Sequence, residues 1–148
     1  RTDTSAGSGR KSDSVLDGTW KMESFSVANP REVVHLVGSG TVNMSHDRMS
    51  IDWVGDAMRE HSSYTMAIVD GEEEVVTGKL VRFTLVADDP RRVTPGLEFL
   101  DNYHGLMTIE NGRMCLAFGH ILPEGFEPVA VRNAVTQTDI SYYIRAVR

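Results

Sequence analysis

Short runs in which apolar and polar residues alternate constrain the fold of this chain more than any other feature. Residues 48–54 place Met49, Ile51 and Trp53 on one side of an extended chain, and residues 79–86 repeat the pattern. This period of two is typical of strands with one buried face. No long stretch keeps the period of about 3.6 residues that marks an amphipathic helix. The pattern therefore predicts an all-β protein.

Turn-forming pairs separate these runs. Asn111-Gly112 and Asp70-Gly71 are the dipeptides that two-residue hairpins prefer. Together with the alternating runs they predict roughly eight to ten short strands joined in sequence, as in an antiparallel barrel or sandwich. Because strands that pair with their sequence neighbours form a meander, and closure removes its two unpaired edges, we predict an antiparallel up-and-down β-barrel.

Length and composition indicate one folded domain. The chain has 148 residues, 41% of them hydrophobic and 24% charged, as in ordinary globular proteins. We assign residues 14–148 to a single barrel domain and residues 1–13, which have no hydrophobic periodicity, to a flexible tail or linker. The tail is similar to the linker that remains after removal of a signal peptide or lipid-anchoring segment, so we expect an exported protein: periplasmic, secreted or lipid-anchored. A linker inside a longer protein would have the same composition.

Charge and motif content argue against several classes of function. The net charge of −6 disfavours a nucleic-acid partner, and no apolar run approaches the roughly 20 residues of a membrane span. A single cysteine excludes an internal disulfide and a cysteine-built zinc site. No Gly-x-Ser-x-Gly or His-Glu-x-x-His motif occurs, so we expect neither enzymatic activity nor a cofactor or metal. The five histidines are scattered as His35, His46, His61, His104 and His120.

Several local features carry more specific expectations. In the first strand, strict alternation places Trp20, Met22 and Ser24 on one face and Phe25 on the other. Residues 32–37 fit either a short helix or a strand, and the glycines within residues 38–40 predict a flexible break. We also predict a loop over residues 55–61 and an irregular loop over residues 119–138. A final strand should close the sheet near the chain's last residue.

The segment from Leu16 to Lys21 carries a family resemblance. Its Gly18-Thr19-Trp20 resembles the Gly-x-Trp sequence that opens the lipocalin and calycin barrels. More closely, the chain resembles a lipocalin-like domain of bacterial proteins that starts Leu-x-Gly-Thr-Trp, a likeness that covers roughly residues 15–148. The resemblance implies that a last-strand arginine, Arg145 or Arg148, packs over Trp20 and closes one end of the barrel. The family's Arg-Pro pair before the last strand corresponds here to Glu127-Pro128.

The predicted interior supplies the candidate binding residues. A barrel of about eight strands either is filled by its own side chains or holds one small ligand. The first alternative gives a structural or protein-interaction domain, and the second gives a binding module for an apolar or amphipathic molecule. Seven methionines in this chain favour an adaptable apolar interior. The candidate ligand-binding residues are Met44, Trp53, Tyr64, Met66, Phe83, Met107, Phe118 and Tyr142.

Overall fold

The computed structural model describes residues 16–45, 47–56, 59–69, 77–88 and 102–148. Nine β-strands lie within these ranges. Their bounds are β1 (Gly18–Ala28), β2 (Val33–His35), β3 (Gly38–Ser45), β4 (Arg48–Gly55), β5 (Arg59–Ile68), β6 (Val81–Ala87), β7 (Asn102–Glu110), β8 (Arg113–Gly119) and β9 (Ser141–Val147). The proposed tail at residues 1–13 and the Asp70-Gly71 turn lie outside the described residues. Within the described ranges, no helix is long and apolar enough to span a membrane.

The strands form one closed antiparallel sheet. From β3 to β9 each strand pairs with its sequence neighbour, and β9 pairs with β1 over residues 21–28. On its other side β1 pairs with β3 through its first residues and with the short β2 through its last ones. Eight strands therefore close a barrel and β2 is an additional strand, which confirms the predicted antiparallel up-and-down β-barrel.

Alternation along the strands builds the core. Met49, Ile51 and Trp53 of β4 are each at most 3% exposed, whereas the side chains between them are less buried. In β6, Val81, Phe83 and Leu85 follow the same rule. Inward side chains from all the barrel strands form a single hydrophobic cluster. The Asn111-Gly112 hairpin is confirmed too, since both residues have the positive φ angles of such a turn, 55° and 74°.

The first strand departs from strict alternation. Its register against β9 shifts between Met22 and Ser24, which leaves Glu23 as the extra residue of a β-bulge. Beyond the bulge Phe25 is buried and Ser24 is exposed, so the prediction that Ser24 shares a face with Trp20 and Phe25 opposes it is wrong. The physical reason is that one inserted residue exchanges the two faces of every following position.

The glycines of residues 38–40 lie in a strand, which corrects the predicted break. The neighbouring strand β4 explains them, because its backbone oxygens at Asp52 and Val54 and the ring of Trp53 all lie close to this part of β3. A Cβ atom on Gly40 would lie 2.9 Å from Cε3 of Trp53, and one on Gly38 would lie 2.9 Å from Cζ2 of the same ring. Because glycine has no side chain, the Trp53 indole can pack directly on the backbone of β3, and we call Gly38 and Gly40 the glycine seat. The ambiguous residues 32–37 contain the strand β2, and the predicted loop over 55–61 is wrong for Gly55, which ends β4, and for residues 59–61, which begin β5.

Residues 120–140 contain no strand and cover part of the outer wall, as the predicted loop over 119–138 required. They form a second apolar cluster against the outward side chains of β1, β8 and β9. Its buried members are Ala28, Ala117 and Tyr143, with Val33, Phe126 and Val131 packed against them. We call residues 120–140 the cover segment.

Trp20 closes one end of the barrel. Its side chain is fully buried, and its Nε1 donates to the carbonyl oxygen of Leu16 at 2.9 Å. The guanidinium of Arg148 lies 4.3 Å from the ring centroid, in cation–π contact, and donates to the carbonyl of Asp17 at 2.8 Å. Gly18 permits this approach, since it has φ +125° and a Cβ there would lie 2.9 Å from Arg148 Nη1. We call this the Trp20 end.

Of the two arginines that the resemblance offered for this contact, Arg148 makes it. Arg145 instead donates to Glu127 at 2.7 Å on the outer surface, where it holds the cover segment. The reason is the alternation of β9, which turns the side chain of Arg145 outward between the buried Ile144 and Ala146.

Truncating the anchor tests its contribution. Trp20→Ala should lower the free energy of unfolding by about 3–5 kcal/mol, the usual loss for a large aromatic core residue. The neighbouring Lys21→Ala is the control, because Lys21 is exposed on the same strand and should change stability by less than about 0.5 kcal/mol. Chemical denaturation measures both. A loss below about 0.5 kcal/mol in Trp20→Ala would contradict an anchoring role.

A second stability prediction concerns the close approach of β6 and β7. Phe83 is paired with Gly105, and a Cβ on Gly105 would come within 2.7–2.8 Å of the Cε atoms of the ring. Gly105→Ala should therefore cost about 1–3 kcal/mol through overpacking. Gly125→Ala is the matched control, since no heavy atom lies within 4 Å of its Cβ position.

Phe83→Leu in the Gly105→Ala background checks the mechanism. Once the ring is gone, the added methyl group has room, so the double variant should be more stable than the sum of the two single losses predicts. Strict additivity in a denaturation cycle would show that the added methyl group does not act by displacing Phe83.

Candidate functional site

The two ends of the barrel interior differ in chemistry. Around the Trp20 end the inward side chains are aliphatic or methionine, and they are almost completely buried. Met44 is paired with Gly18 at the start of β1, and Met107 is paired with Val81 at the start of β6. This end has the character of a closed apolar core. The methionines of the whole barrel core are Met22, Met44, Met49, Met66, Met107 and Met114.

Aromatic rings occupy the opposite end. Trp53 contacts Phe25 edge to face, with ring centroids 5.1 Å apart. Phe25 stacks on Tyr142 at 6.1 Å, and Tyr142 lies 5.1 Å from Phe118. Such separations are those of favourable aromatic pairs. We call this group the aromatic end; its rings are Phe25, Trp53, Tyr64, Tyr103, Phe118, Tyr142 and His120.

Exposure rises across the aromatic end. Trp53 and Phe118 are 3% and 0% exposed, while Tyr103 and Tyr142 are only partly buried. Tyr103 lies 5.7 Å from Phe118 and 6.2 Å from Tyr142, so the partly exposed rings contact the buried ones directly. The result is a continuous aromatic surface from solvent into the barrel.

Polar groups accompany these rings on the inner face. Alternation along β5 places Glu60 and Ser62 on the same side as the buried Tyr64. The Ser62 hydroxyl donates to the Glu60 carboxylate, and Glu60 is the direct cross-strand partner of Trp53. A polar side chain on the inner face costs free energy unless it has a hydrogen-bond partner. This end of the interior therefore carries hydrogen-bonded polar side chains beside its aromatic rings.

The indole N–H of Trp53 has no hydrogen-bond acceptor among the described residues, although the atom is buried. The ring is held in place by the glycine seat on β3 and by Phe25. Since at least 90% of buried polar groups have a partner, an orphan donor of this kind requires an explanation.

All eight sequence-predicted binding residues belong to the hydrophobic cluster inside the barrel, but only four of them are among the rings of the aromatic end. Trp53, Tyr64, Phe118 and Tyr142 meet there. The other four, Met44, Met66, Phe83 and Met107, are buried in the same cluster. Whether any of them binds a ligand stays a prediction.

Sequence reasoning missed three rings of this site. Phe25 was placed on the wrong face because nothing in the sequence marks the bulge at Glu23. Tyr103 shares its face with Gly105 and Met107, so alternation along β7 could have found it. His120 comes from the cover segment, and its stacking on Tyr103, at 4.9 Å between centroids, depends on a loop conformation that periodicity does not describe.

His120 and Asp139, near the two ends of the cover segment, lie close to each other and hydrogen-bond to its backbone. Nδ1 of His120 accepts from the backbone N–H of Ile140 at 3.3 Å and lies 3.7 Å from Oδ1 of Asp139. Asp139 is 2% exposed and accepts hydrogen bonds from the backbone N–H groups of Val135 and Thr136, at 2.6 and 3.2 Å. Burial raises the pKa of Asp139, but these hydrogen bonds, that of the Thr136 hydroxyl and the nearby His120 outweigh it, so the pKa lies below its ordinary value.

Two surface cavities lie away from the aromatic end. One, of about 60 Å³, separates the cover segment from Ser141 and Tyr143 of β9. Burial raises the pKa of Tyr143 there, against the opposing effect of a hydrogen bond at the Val129 backbone. The other, of about 300 Å³, follows the β3–β4 hairpin and is lined mainly by polar residues, Asn43 and Arg48 among them. Neither has the aromatic character of the interior site.

Ionisable side chains do not form a recognisable catalytic or metal centre in the described parts of the chain. No group of three or more His, Cys, Asp or Glu residues there could hold a metal ion. One histidine–carboxylate pair, Asp52 with Nδ1 of His61 at 2.5 Å, lies on the outer face with both side chains about half exposed or more. It is a solvated surface pair.

No protein-family model, no curated protein and no solved structure matches this chain. A function therefore has to be inferred from the chemistry of the barrel itself.

The depressed pKa of Asp139 predicts a pH-dependent contribution to stability. The carboxylate is favoured in the folded state, so its contribution is complete above the ordinary pKa of about 3.9 and is lost as the pH falls through the lower folded-state value. Asp139→Asn should cost about 1–2 kcal/mol at pH 7, the difference between charged and neutral hydrogen bonds.

Denaturation at several pH values tests this. The gap between wild type and Asp139→Asn should narrow below about pH 4. Asp56→Asn, which alters an exposed carboxylate, serves as the control and should show little loss at any pH. An equal loss for Asp139→Asn at pH 3 and pH 7 would show that the charge of Asp139 is not responsible.

Proposed function

We propose that this protein binds a small apolar or amphipathic molecule at the aromatic end of its barrel, without catalysing a reaction. One observation carries the proposal: partly exposed Tyr103 and Tyr142 are in ring contact with the buried Phe118. An apolar guest reaching these tyrosines from solvent would meet aromatic surface continuously into the interior.

The chemistry of the lining agrees with such a role. Small-molecule sites are mostly apolar and aromatic, with a few polar groups that fix orientation. The aromatic end offers both, since three of its rings are tyrosines and Glu60 and Ser62 lie on the inner face of the adjacent strand. Tyrosine suits this position because it combines a large apolar surface with a hydroxyl.

The closed opposite end supports the same interpretation. Trp20 and Arg148 close it through a cation–π contact and a hydrogen bond from Arg148 to the carbonyl of Asp17, and Trp20 belongs to the hydrophobic core. The stability of the barrel can therefore come mainly from one end, which leaves the other available for a guest. The resemblance of Leu16 to Lys21 to lipocalin-like domains is consistent with a barrel that is closed at one end. We include in the proposal both this family relationship and export from the cell.

A filled barrel acting as a structural or protein-interaction domain is the second candidate. The ring-to-ring contacts of 4.9–6.2 Å at the aromatic end favour it, because these side chains already pack against one another. Exposed apolar side chains on the cover segment also favour it, notably Val135 at 80% and Val129 at 39% exposure.

Titration with N-phenyl-1-naphthylamine, a neutral apolar fluorophore, separates the two candidates. The binding module should show one saturable site. Tyr103→Ala should weaken the affinity about three- to tenfold, the contribution expected of one aromatic contact. His104→Ala is the matched control: His104 is the next residue on β7, faces outward, and should leave the affinity unchanged.

Folding of each variant is checked by circular dichroism and thermal melting. Tyr142→Ala provides an independent second variant, with the same expected loss of affinity. Absence of saturable binding to the wild-type protein, or equal affinity in folded Tyr103→Ala and His104→Ala, would reject the binding module in favour of the filled barrel.

A further inference from the structure

The two tryptophans of this chain have opposite hydrogen-bonding states. Nε1 of Trp20 donates to the carbonyl oxygen of Leu16 at 2.9 Å. Nε1 of Trp53 is equally inaccessible, in a residue only 3% exposed, and no described residue accepts from it. A native protein rarely keeps a buried donor without a partner, since leaving it unpaired costs free energy. The difference between the two indoles therefore calls for a reason specific to Trp53.

Packing fixes the Trp53 indole, so that local rearrangement does not easily relieve the unpaired N–H. The ring lies on Gly38 and Gly40, where a Cβ atom would come within 2.9 Å of it, and Phe25 meets it at an interplanar angle of 73°. An aromatic face such as that of Phe25 is at best a weak acceptor and does not replace an oxygen. A donor held rigidly beside an aromatic surface is the arrangement that orients a ligand.

We propose that the ligand of the aromatic end carries a neutral hydrogen-bond acceptor, such as a ketone, ester or amide carbonyl, to which Nε1 of Trp53 donates. This inference rests on the proposed function and deepens it by naming the chemical class of the ligand. Trp53 then acts as a specificity-determining residue, because an apolar molecule without an acceptor would bind and leave the N–H unpaired. Sites built around a polar group discriminate against ligands that lack its partner.

The neighbouring charge argues for a neutral acceptor over an anionic one. Glu60 is the direct cross-strand partner of Trp53 on the inner face, and it is hydrogen-bonded to Ser62. A ligand carboxylate at Trp53 Nε1 would place a second negative charge near that of Glu60, in a partly desolvated site where repulsion is strong. A carbonyl oxygen accepts the same hydrogen bond without this penalty.

Three matched naphthalene probes test the inference. The first is 6-propionyl-2-(dimethylamino)naphthalene, which carries a ketone; the second is 2-(dimethylamino)naphthalene, which lacks it; the third is 6-(dimethylamino)-2-naphthoate, which carries a carboxylate. The ketone should bind the wild-type protein about three- to tenfold more tightly than the parent amine, the size of one neutral hydrogen bond. The naphthoate should bind more weakly than the ketone.

Trp53→Phe isolates the contribution of the N–H. The propionyl group also adds apolar area, which favours the ketone in both proteins, so the ratio of the ketone to the parent-amine affinity is compared between them. That ratio should fall by about three- to tenfold in Trp53→Phe. An unchanged ratio in the folded variant would overturn the inference.

Indole N–H signals of the ¹⁵N-labelled wild-type protein give the same answer without a variant. The Trp53 proton, assigned through its contacts with Phe25, should move downfield on adding the ketone and move less with the parent amine. The Trp20 proton is the internal control and should stay in place, because it is already bonded to Leu16.

The outcomes separate this inference from the proposed function. If the ketone and the parent amine both bind saturably with equal affinity and the Trp53 proton responds to them alike, the binding module stands and the acceptor is rejected. Tighter binding of the naphthoate than of the ketone would reject the neutral class. If none of the three probes binds, both the binding module and its acceptor are rejected.

Discussion

Closure of the sheet through β1 is the constraint on which the rest of the structure depends. This strand is paired with β9 along residues 21–28 and with β3 through its first four residues. The strand therefore pairs with β3 at its beginning and with β2 through its last three residues, so it has to bend between the two. The bulge at Glu23 makes the turn possible, because an extra residue bends a strand and increases its twist. Without that insertion, β1 would keep one register and Phe25 would face solvent.

The bulge also decides what lies inside. It moves Phe25 inward, where the ring meets Trp53 and Tyr142, and so contributes to the aromatic end. Large rings then need space, because the interior of an eight-stranded barrel is just wide enough for its own side chains. Glycines provide it at two places: Gly38 and Gly40 beneath Trp53, and Gly105 beneath Phe83. The interior is thus assembled from ring-on-glycine pairs between neighbouring strands, an arrangement that a list of apolar residues does not reveal.

The features that could be predicted from the sequence are those that depend only on residues close together in the chain. The period of two and the Asn111-Gly112 turn depend on neighbouring residues only, so the all-β class, the strand sequence and the inward direction of Trp53 or Phe118 were accessible. The Gly-x-Trp resemblance also led to the arginine contact, although Arg148 makes it and Arg145 does not. The bulge, the glycine seats and the stacking of His120 were inaccessible because each depends on how distant strands approach one another. The same limit explains why only four of the eight predicted binding residues are among the rings of the aromatic end: alternation gives the direction of a side chain but not its level along the barrel axis.

At the aromatic end the placement of polar atoms departs from what stability alone would favour. A barrel selected only for stability would gain from replacing Glu60 and Ser62 with apolar residues and from giving the Trp53 N–H a protein acceptor. At the Trp20 end the indole N–H has its acceptor in the carbonyl of Leu16, and Trp20 belongs to the hydrophobic core. The aromatic end departs from it in several residues that lie side by side on β4 and β5. Residues that lower stability in this way are concentrated at functional sites, because a protein tolerates the loss of stability where the residues serve a function. The contrast between the two indoles of one core, one with an acceptor and one without, is therefore the physical support for a proposed ligand site at the aromatic end.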